Sequence, residues 1–66
     1  MTDELESAAE AHRAAARHLT GAYRGLRDEV MTPGEALMAV EQAEGEAERA
    51  AVFAARGRKA LVHAAA

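Results

Sequence analysis

The sequence predicts an all-α protein: a two-helix antiparallel hairpin of coiled-coil character that we expect to dimerise into a four-helix bundle. Three observations support this fold class. Strong helix formers dominate the composition, with 19 alanines among 66 residues. One proline, Pro33, interrupts the chain near its middle. On both sides of it, apolar residues recur at alternating spacings of three and four, the period of a heptad repeat.

The segment around Pro33 carries the signals of a helix N-terminus. Thr32 is a favoured N-cap, Pro33 suits the first helical position, and Glu35 follows where a capping box requires an acid. Because proline disfavours helical geometry in the residue before it, the first helix should stop by Met31. We therefore predict a single domain over residues 1–66, with a helix at about 3–30, a turn at 31–33 and a helix at about 33–63.

Each predicted helix carries one stripe of residues that would meet the other helix. In helix one the stripe is Leu5, Ala9, His12, Ala16, Leu19, Tyr23, Leu26 and Val30. In helix two it is Ala36, Val40, Ala43, Ala47, Ala50, Ala54, Gly57 and Leu61. A short connection makes the helices antiparallel neighbours, and large residues then oppose small ones. The predicted pairs are Leu26–Val40, Tyr23–Ala43, Leu19–Ala47, His12–Ala54 and Leu5–Leu61.

A second face, beside this stripe, predicts self-association. A chain this short gains little from burying alanine and has no cysteine for a disulfide, so a lone hairpin would be marginal. Phe53 has no obvious burial site in one hairpin, which favours a homodimer over the alternative that the alanines line a solvated surface. The expected self-association face is Ala8, Ala11, Ala15, Ala22, Ala39, Phe53 and Ala60. Candidate contacts for a further partner are Met38, Val52 and Val62.

Four arginines of helix one, Arg13, Arg17, Arg24 and Arg27, share one helix face. Such a stripe can contact phosphates, and a dimer would double it. The other interpretation, which we favour, is a solvated face whose arginines pair with nearby acids. The acids expected to do so are Glu10, Asp28, Glu41, Glu44 and Glu48.

Few residues are suited to catalysis or metal binding. Ser7 is the single serine, and no histidine and acid are spaced to activate it. His63 is expected near Asp3 and Glu4, but one histidine and two acids are fewer ligands than a metal site needs. His12 is expected to be a partly buried, neutral side chain between the helices. We therefore predict no enzyme activity, no cofactor and no metal.

The charge pattern and the absence of long apolar runs narrow the function. A formal charge of −3 disfavours a general nucleic-acid or anionic-lipid surface. No apolar run approaches the roughly 20 residues of a membrane span, and the acidic N-terminus is unlike a secretory signal. We expect a cytoplasmic protein, and the richness in alanine, arginine and glutamate is typical of a high-GC bacterium or its phage.

The sequence therefore predicts a small homo-oligomer that acts through protein–protein interaction, as an adaptor, regulator or assembly factor. The alternative is a nucleic-acid regulator that uses the arginine stripe. In length and topology the chain resembles the plasmid Rop family, whose short helical hairpins dimerise and bind paired RNA through helix-one faces. This resemblance implies that the helix-one arginines would contact the RNA.

Overall fold

The computed structural model describes residues 2–66 and consists of two helices, α1 (Thr2–Arg27) and α2 (Pro33–Ala65). The N-terminal turn of α1 contacts the C-terminal half of α2, so the helices run antiparallel. The hairpin is a rod with principal extents of 52 × 14 × 13 Å. The predicted all-α hairpin is confirmed.

The start of α2 is capped as predicted. The Thr32 hydroxyl accepts a hydrogen bond from the backbone N–H of Glu35 at 3.1 Å. The Glu35 carboxylate accepts one in return from the backbone N–H of Thr32 at 2.9 Å. This reciprocal pair satisfies two amides that the first turn of a helix would otherwise leave without partners.

The end of α1 comes at Arg27, three residues earlier than predicted. The backbone N–H of Glu29 donates to the carbonyl oxygen of Leu26 at 3.2 Å, and that of Val30 donates to Gly25 at 3.0 Å. Glu29 has a φ of 58°, the left-handed conformation that ends a helix in a Schellman motif. The sequence did not predict this helix end because glutamate occupies position 29, where a Schellman motif usually has glycine.

Small residues form most of the contact between the helices, although the Leu5 side chain also lies over Gly57. Among the described residues, every buried hydrophobic side chain is an alanine, and glycines complete the row. We call this row the contact stripe, and it comprises Ala8, Ala11, Ala15, Ala22 and Gly25 of α1 with Ala36, Ala43, Ala50 and Gly57 of α2. Because alanine and glycine have the smallest side chains, the two backbones can approach closely.

The α2 half of the predicted contact is partly confirmed, and the α1 half is mostly wrong, although Leu5 does lie over Gly57 of α2. Leu19, Tyr23 and Leu26 were expected between the helices and are instead 46–64% exposed. The stripe that α1 does use lies one residue earlier along the chain, where alanine occupies most positions. Since alanines pack closer than leucines, the long helices can remain in contact over most of their length.

The register between the helices also differs from the predicted one. A β-carbon built on Gly57 would stand 3.7 Å from Cβ of Glu4, so these two residues lie opposite each other. The heptad repeat then sets Ala50 opposite Ala11 and Gly25 opposite Ala36. The five predicted pairs are therefore wrong, because α1 is shorter than predicted and residues 28–32 form a longer connection.

Candidate interaction surfaces

One long side of the hairpin carries large apolar side chains from both helices. Each follows a buried or half-buried residue of the helix–helix contact by one position. In antiparallel helices such residues point to the same side. We call this surface the leucine face, and its large members are Leu5, Leu19, Tyr23 and Leu26 of α1 with Leu37, Val40 and Leu61 of α2. Apart from the half-buried Val40, these side chains are 42–64% exposed. The hairpin therefore covers its small residues and exposes its large ones.

Small residues form the leucine face between its turn-side half and the pair Leu5 and Leu61 at the open end. These are Ala9 and Ala16 of α1 with Ala47, Ala51 and Ala54 of α2. The bulk thus lies mainly toward the turn, and Leu5 and Leu61 mark the other end. Three polar residues, His12, Glu44 and Arg58, also lie on this face and are exposed. The expected partial burial of His12 is therefore wrong.

The residues expected to form the self-association face lie mainly inside the hairpin. Ala8, Ala11, Ala15 and Ala22 are 5–8% exposed, and they are covered by the other helix of the same chain. Ala39, Phe53 and Ala60 are half-buried along the same contact. The expectation that this set is exposed in one hairpin is wrong, because α1 packs through its alanines. Leu37 belongs to the leucine face, and no prediction from the sequence included it. Its position directly after Ala36, which was predicted to lie between the helices, is the signal that could have identified it.

A second apolar surface lies on the outer side of α2. Met38, Val52 and Val62 are 51–64% exposed there. Val52 and Phe53 line an open depression of about 310 Å³ with Gly45 and Arg49. The Arg56 guanidinium lies 5.7 Å from the centre of the Phe53 ring, within the range of a cation–π interaction.

A second depression lies next to the first, toward the C-terminal end of α2. It measures about 570 Å³ and is lined by Arg56, Lys59, Ala60, Val62 and His63. Here the cationic side chains of Arg56 and Lys59 lie beside the apolar Ala60 and Val62, so this surface suits an acidic or amphipathic partner. No ion pair joins His63 to Asp3 or Glu4 in the part of the chain that the structure describes.

The arginine stripe is exposed along its whole length. Arg27 pairs with Asp28 at 3.0 Å and lies over the Tyr23 ring at 5.6 Å. The hydrogen bond to Asp28 raises the pKa of Arg27. Within residues 2–66, no ion pair joins Arg13, Arg17 or Arg24 to an acid. Of the predicted pairings, the one with Asp28 is thus confirmed, while those with Glu10, Glu41, Glu44 and Glu48 are not formed.

Charge is segregated along each helix in opposite directions. All acids of α1 lie within its first ten residues, and its four arginines follow. In α2, five glutamates come first, and the cationic residues follow from Arg49 onward. Antiparallel packing places the acidic half of each helix beside the basic half of the other, which favours this orientation electrostatically.

The described residues offer little for metal chemistry. Among residues 2–66, no group of three or more histidine, aspartate or glutamate side chains is placed to hold a metal ion. No described helix is long and apolar enough to cross a membrane. Comparison with protein-family models, curated proteins and solved structures found no match. The two apolar surfaces and the arginine stripe are therefore the features from which function can be argued.

Proposed function

We propose that this is a small non-enzymatic helical protein that self-associates and acts by binding another protein, as an adaptor, regulator or assembly factor. One observation carries the proposal: large apolar side chains lie outside the hairpin, while alanine and glycine fill its interior. Single exposed apolar residues are common on proteins, but several of them on one side of the molecule mark an interaction surface.

The energetics favour self-association through the leucine face. Burying an alanine methyl gains little, whereas full burial of a leucine-sized side chain gains roughly 1.5–3 kcal/mol. The leucine face offers six such side chains that are each at least 42% exposed. Their burial would add to a hairpin whose own buried hydrophobic side chains are all alanine.

The outer surface of α2 is our candidate for binding a different protein. Met38 and Val52 lie 14 residues apart and so share one stripe, and Gly45 between them leaves a gap in it. This stripe lies away from the leucine face, so both surfaces can be occupied at once. A partner with apolar and acidic groups would match the exposed valines and the cations near them.

Analytical ultracentrifugation of matched variants tests the proposed self-association. Wild type should sediment as an oligomer, and Leu19→Glu should shift it to monomer. Val52→Glu introduces the same charge on the other surface and should assemble as wild type does. Circular dichroism should show that both variants remain helical. A wild type that stays monomeric at high protein concentration would refute self-association.

The partner-binding half of the proposal needs its own test. Proteins that co-purify with the tagged chain from its source cell should be lost with Val52→Glu. They should be retained with Thr20→Glu, which adds the same charge at an exposed position of α1. Retention of every partner by Val52→Glu would remove the outer surface of α2 from the proposal, without affecting self-association.

A second candidate function is nucleic-acid binding through the arginine stripe. The specific observation is that Arg13, Arg17 and Arg24 are exposed and make no ion pair within residues 2–66. Binding should then weaken steeply with salt, because each phosphate contact releases counterions. Arg17→Glu with Arg24→Glu should abolish binding, and Lys59→Glu, off the stripe, should reduce it less. No binding to duplex RNA or DNA at low salt would exclude this candidate.

A further inference from the structure

We propose that the leucine face binds a second copy of this chain with the two turns at opposite ends of a four-helix bundle. The inference rests on the proposed self-association and adds the occupant, the face and the arrangement. Two-fold symmetry allows two ways to stack the hairpins on this face. In one the turns lie at opposite ends, and in the other they lie at the same end. The sizes of the side chains distinguish them.

The α1 side of the face is complementary to itself when the turns lie at opposite ends. The two-fold axis then passes near Ala16, and α1 lies antiparallel on α1 of the copy. Leu5 at one end meets the copy's Leu26, Ala9 meets the copy's Tyr23, and His12 lies against the copy's Leu19. The bulkiest side chain of the face is thus set against an alanine, as close packing requires.

The α2 side follows the same pattern. The register of the hairpin places the axis between Gly45 and Glu46, so α2 lies antiparallel on α2 of the copy. Val40 then meets the copy's Ala51, and Leu37 meets the copy's Ala54. Large residues near the turn again fit against small residues near the open end.

Stacking with the turns at the same end loses this fit. There α1 would lie on α2 of the copy at the same height, so Tyr23 and Leu26 would face the copy's Leu37. Farther from the turns, Ala9 would face alanines only. Crowding near the turns and a gap at Ala9 are both costly in a packed interface.

Exposed area and charge independently fit a second copy as the occupant. The hairpin exposes 4983 Å², while a compact monomer of its 7.0 kDa mass would expose about 4,000 Å². The excess of about 1,000 Å² matches what one partner buries in a standard interface, about 800 Å². Stacking also sets the acidic half of each helix against a basic half of the copy, in either arrangement. Area and charge thus favour a copy as the occupant, and side-chain size selects the arrangement.

Cysteine cross-linking tests the arrangement on the full chain. The protein has no cysteine, so any disulfide must come from an introduced residue. Under oxidation, Ala16→Cys alone should form a covalent dimer, because the axis brings it close to its own copy. Ala55→Cys is a matched control, since Ala55 is exposed on the outer side of α2. We expect on the order of tenfold more covalent dimer from Ala16→Cys, because disulfides form only over a short Cα separation.

The same experiment distinguishes a wrong arrangement, a wrong face and an absence of self-association. If Ala16→Cys does not cross-link alone but does so when mixed with Ala47→Cys, the turns lie at the same end and the arrangement is wrong. If sedimentation shows a dimer and neither sample cross-links, another face is used and the leucine-face proposal is wrong, while self-association stands. A monomer at every concentration refutes both this inference and the proposed self-association.

A second variant tests the arrangement without cysteines. Opposite-end stacking brings Glu44 within one helical turn of the copy's Glu44, and like charges there oppose assembly. Glu44→Gln should therefore lower the dimer dissociation constant severalfold at low salt, and Glu48→Gln, with the same charge change on the outer side, should not. Equal effects of the two variants would contradict the opposite-end arrangement.

Discussion

Met31 folds back over Gly25, and the fit between them allows no β-carbon on the glycine. A β-carbon built there would stand 2.7 Å from Cβ of Met31, closer than such atoms come in real structures. The backbone N–H of Met31 also donates to the carbonyl oxygen of Gly25 at 3.2 Å. The chain leaving α1 is therefore held against the last turn of that helix. This contact directs the chain back toward the start of α2.

Replacing this glycine should destabilise the hairpin, although alanine is the better helix former. In Gly25→Ala the new methyl meets Cβ of Met31, which cannot move without moving the turn. We expect a loss of about 1–3 kcal/mol in the free energy of unfolding, the usual cost of overpacking. Urea denaturation at a fixed protein concentration measures it, since assembly makes apparent stability depend on concentration.

Two other glycines supply the control for that substitution. Nothing lies within 4 Å of a β-carbon built on Gly21 or on Gly45. Gly21→Ala and Gly45→Ala should each raise stability by about 0.5–1 kcal/mol, the difference in helix propensity. A Gly25→Ala protein stabilised as much as these two would show that the turn does not require the glycine.

The turn holds Glu29 in a strained backbone conformation. Its φ of 58° lies in a region that costs a residue with a side chain about 1–2 kcal/mol. Glu29→Gly should relieve this strain, and the greater freedom of glycine in the unfolded chain offsets part of the gain. We expect a net stabilisation of up to about 1 kcal/mol, or several degrees in Tm. Unchanged or lower stability would argue against a Schellman end to α1.

The capping box predicts a dependence of stability on pH. The pKa of Glu35 is lowered because its carboxylate accepts a hydrogen bond from the backbone N–H of Thr32. A carboxyl with a lowered pKa stabilises the fold above its unfolded pKa, and this contribution is lost as pH falls through the folded pKa. The advantage in Tm of wild type over Glu35→Gln should therefore shrink between neutral pH and about pH 3. Thermal melts of both proteins across this range measure the effect, and a constant difference would contradict it.

The outline of the fold was predictable because its signals are local. Thr32, Pro33 and Glu35 fall within one helical turn, and their capping box forms as expected. The end of α1 was not predictable in the same way. It depends on a left-handed glutamate, and glutamate carries no turn signal of its own.

The choice between the two stripes of α1 was the part that periodicity could not decide. Leu5, Leu19 and Leu26 lie at intervals of 14 and seven residues, and Ala8, Ala15 and Ala22 repeat every seven. The two sets share the heptad period and differ by a small rotation about the helix. Hydrophobicity favours the leucines as the contact, whereas close approach of two long helices favours the alanines. Neither preference can be weighed against the other without the geometry of the second helix.

Enlarging a residue of the contact stripe should show which stripe holds the helices together. Ala50 is 0% exposed, so Ala50→Leu would force α1 and α2 apart. We expect a loss of at least 1–3 kcal/mol, roughly the cost of overpacking a filled site. Ala55→Leu adds the same bulk at an exposed position on the same helix and should change stability by less than about 0.5 kcal/mol. Equal stability of the two variants, measured by urea denaturation, would mean that the alanines do not form the interior.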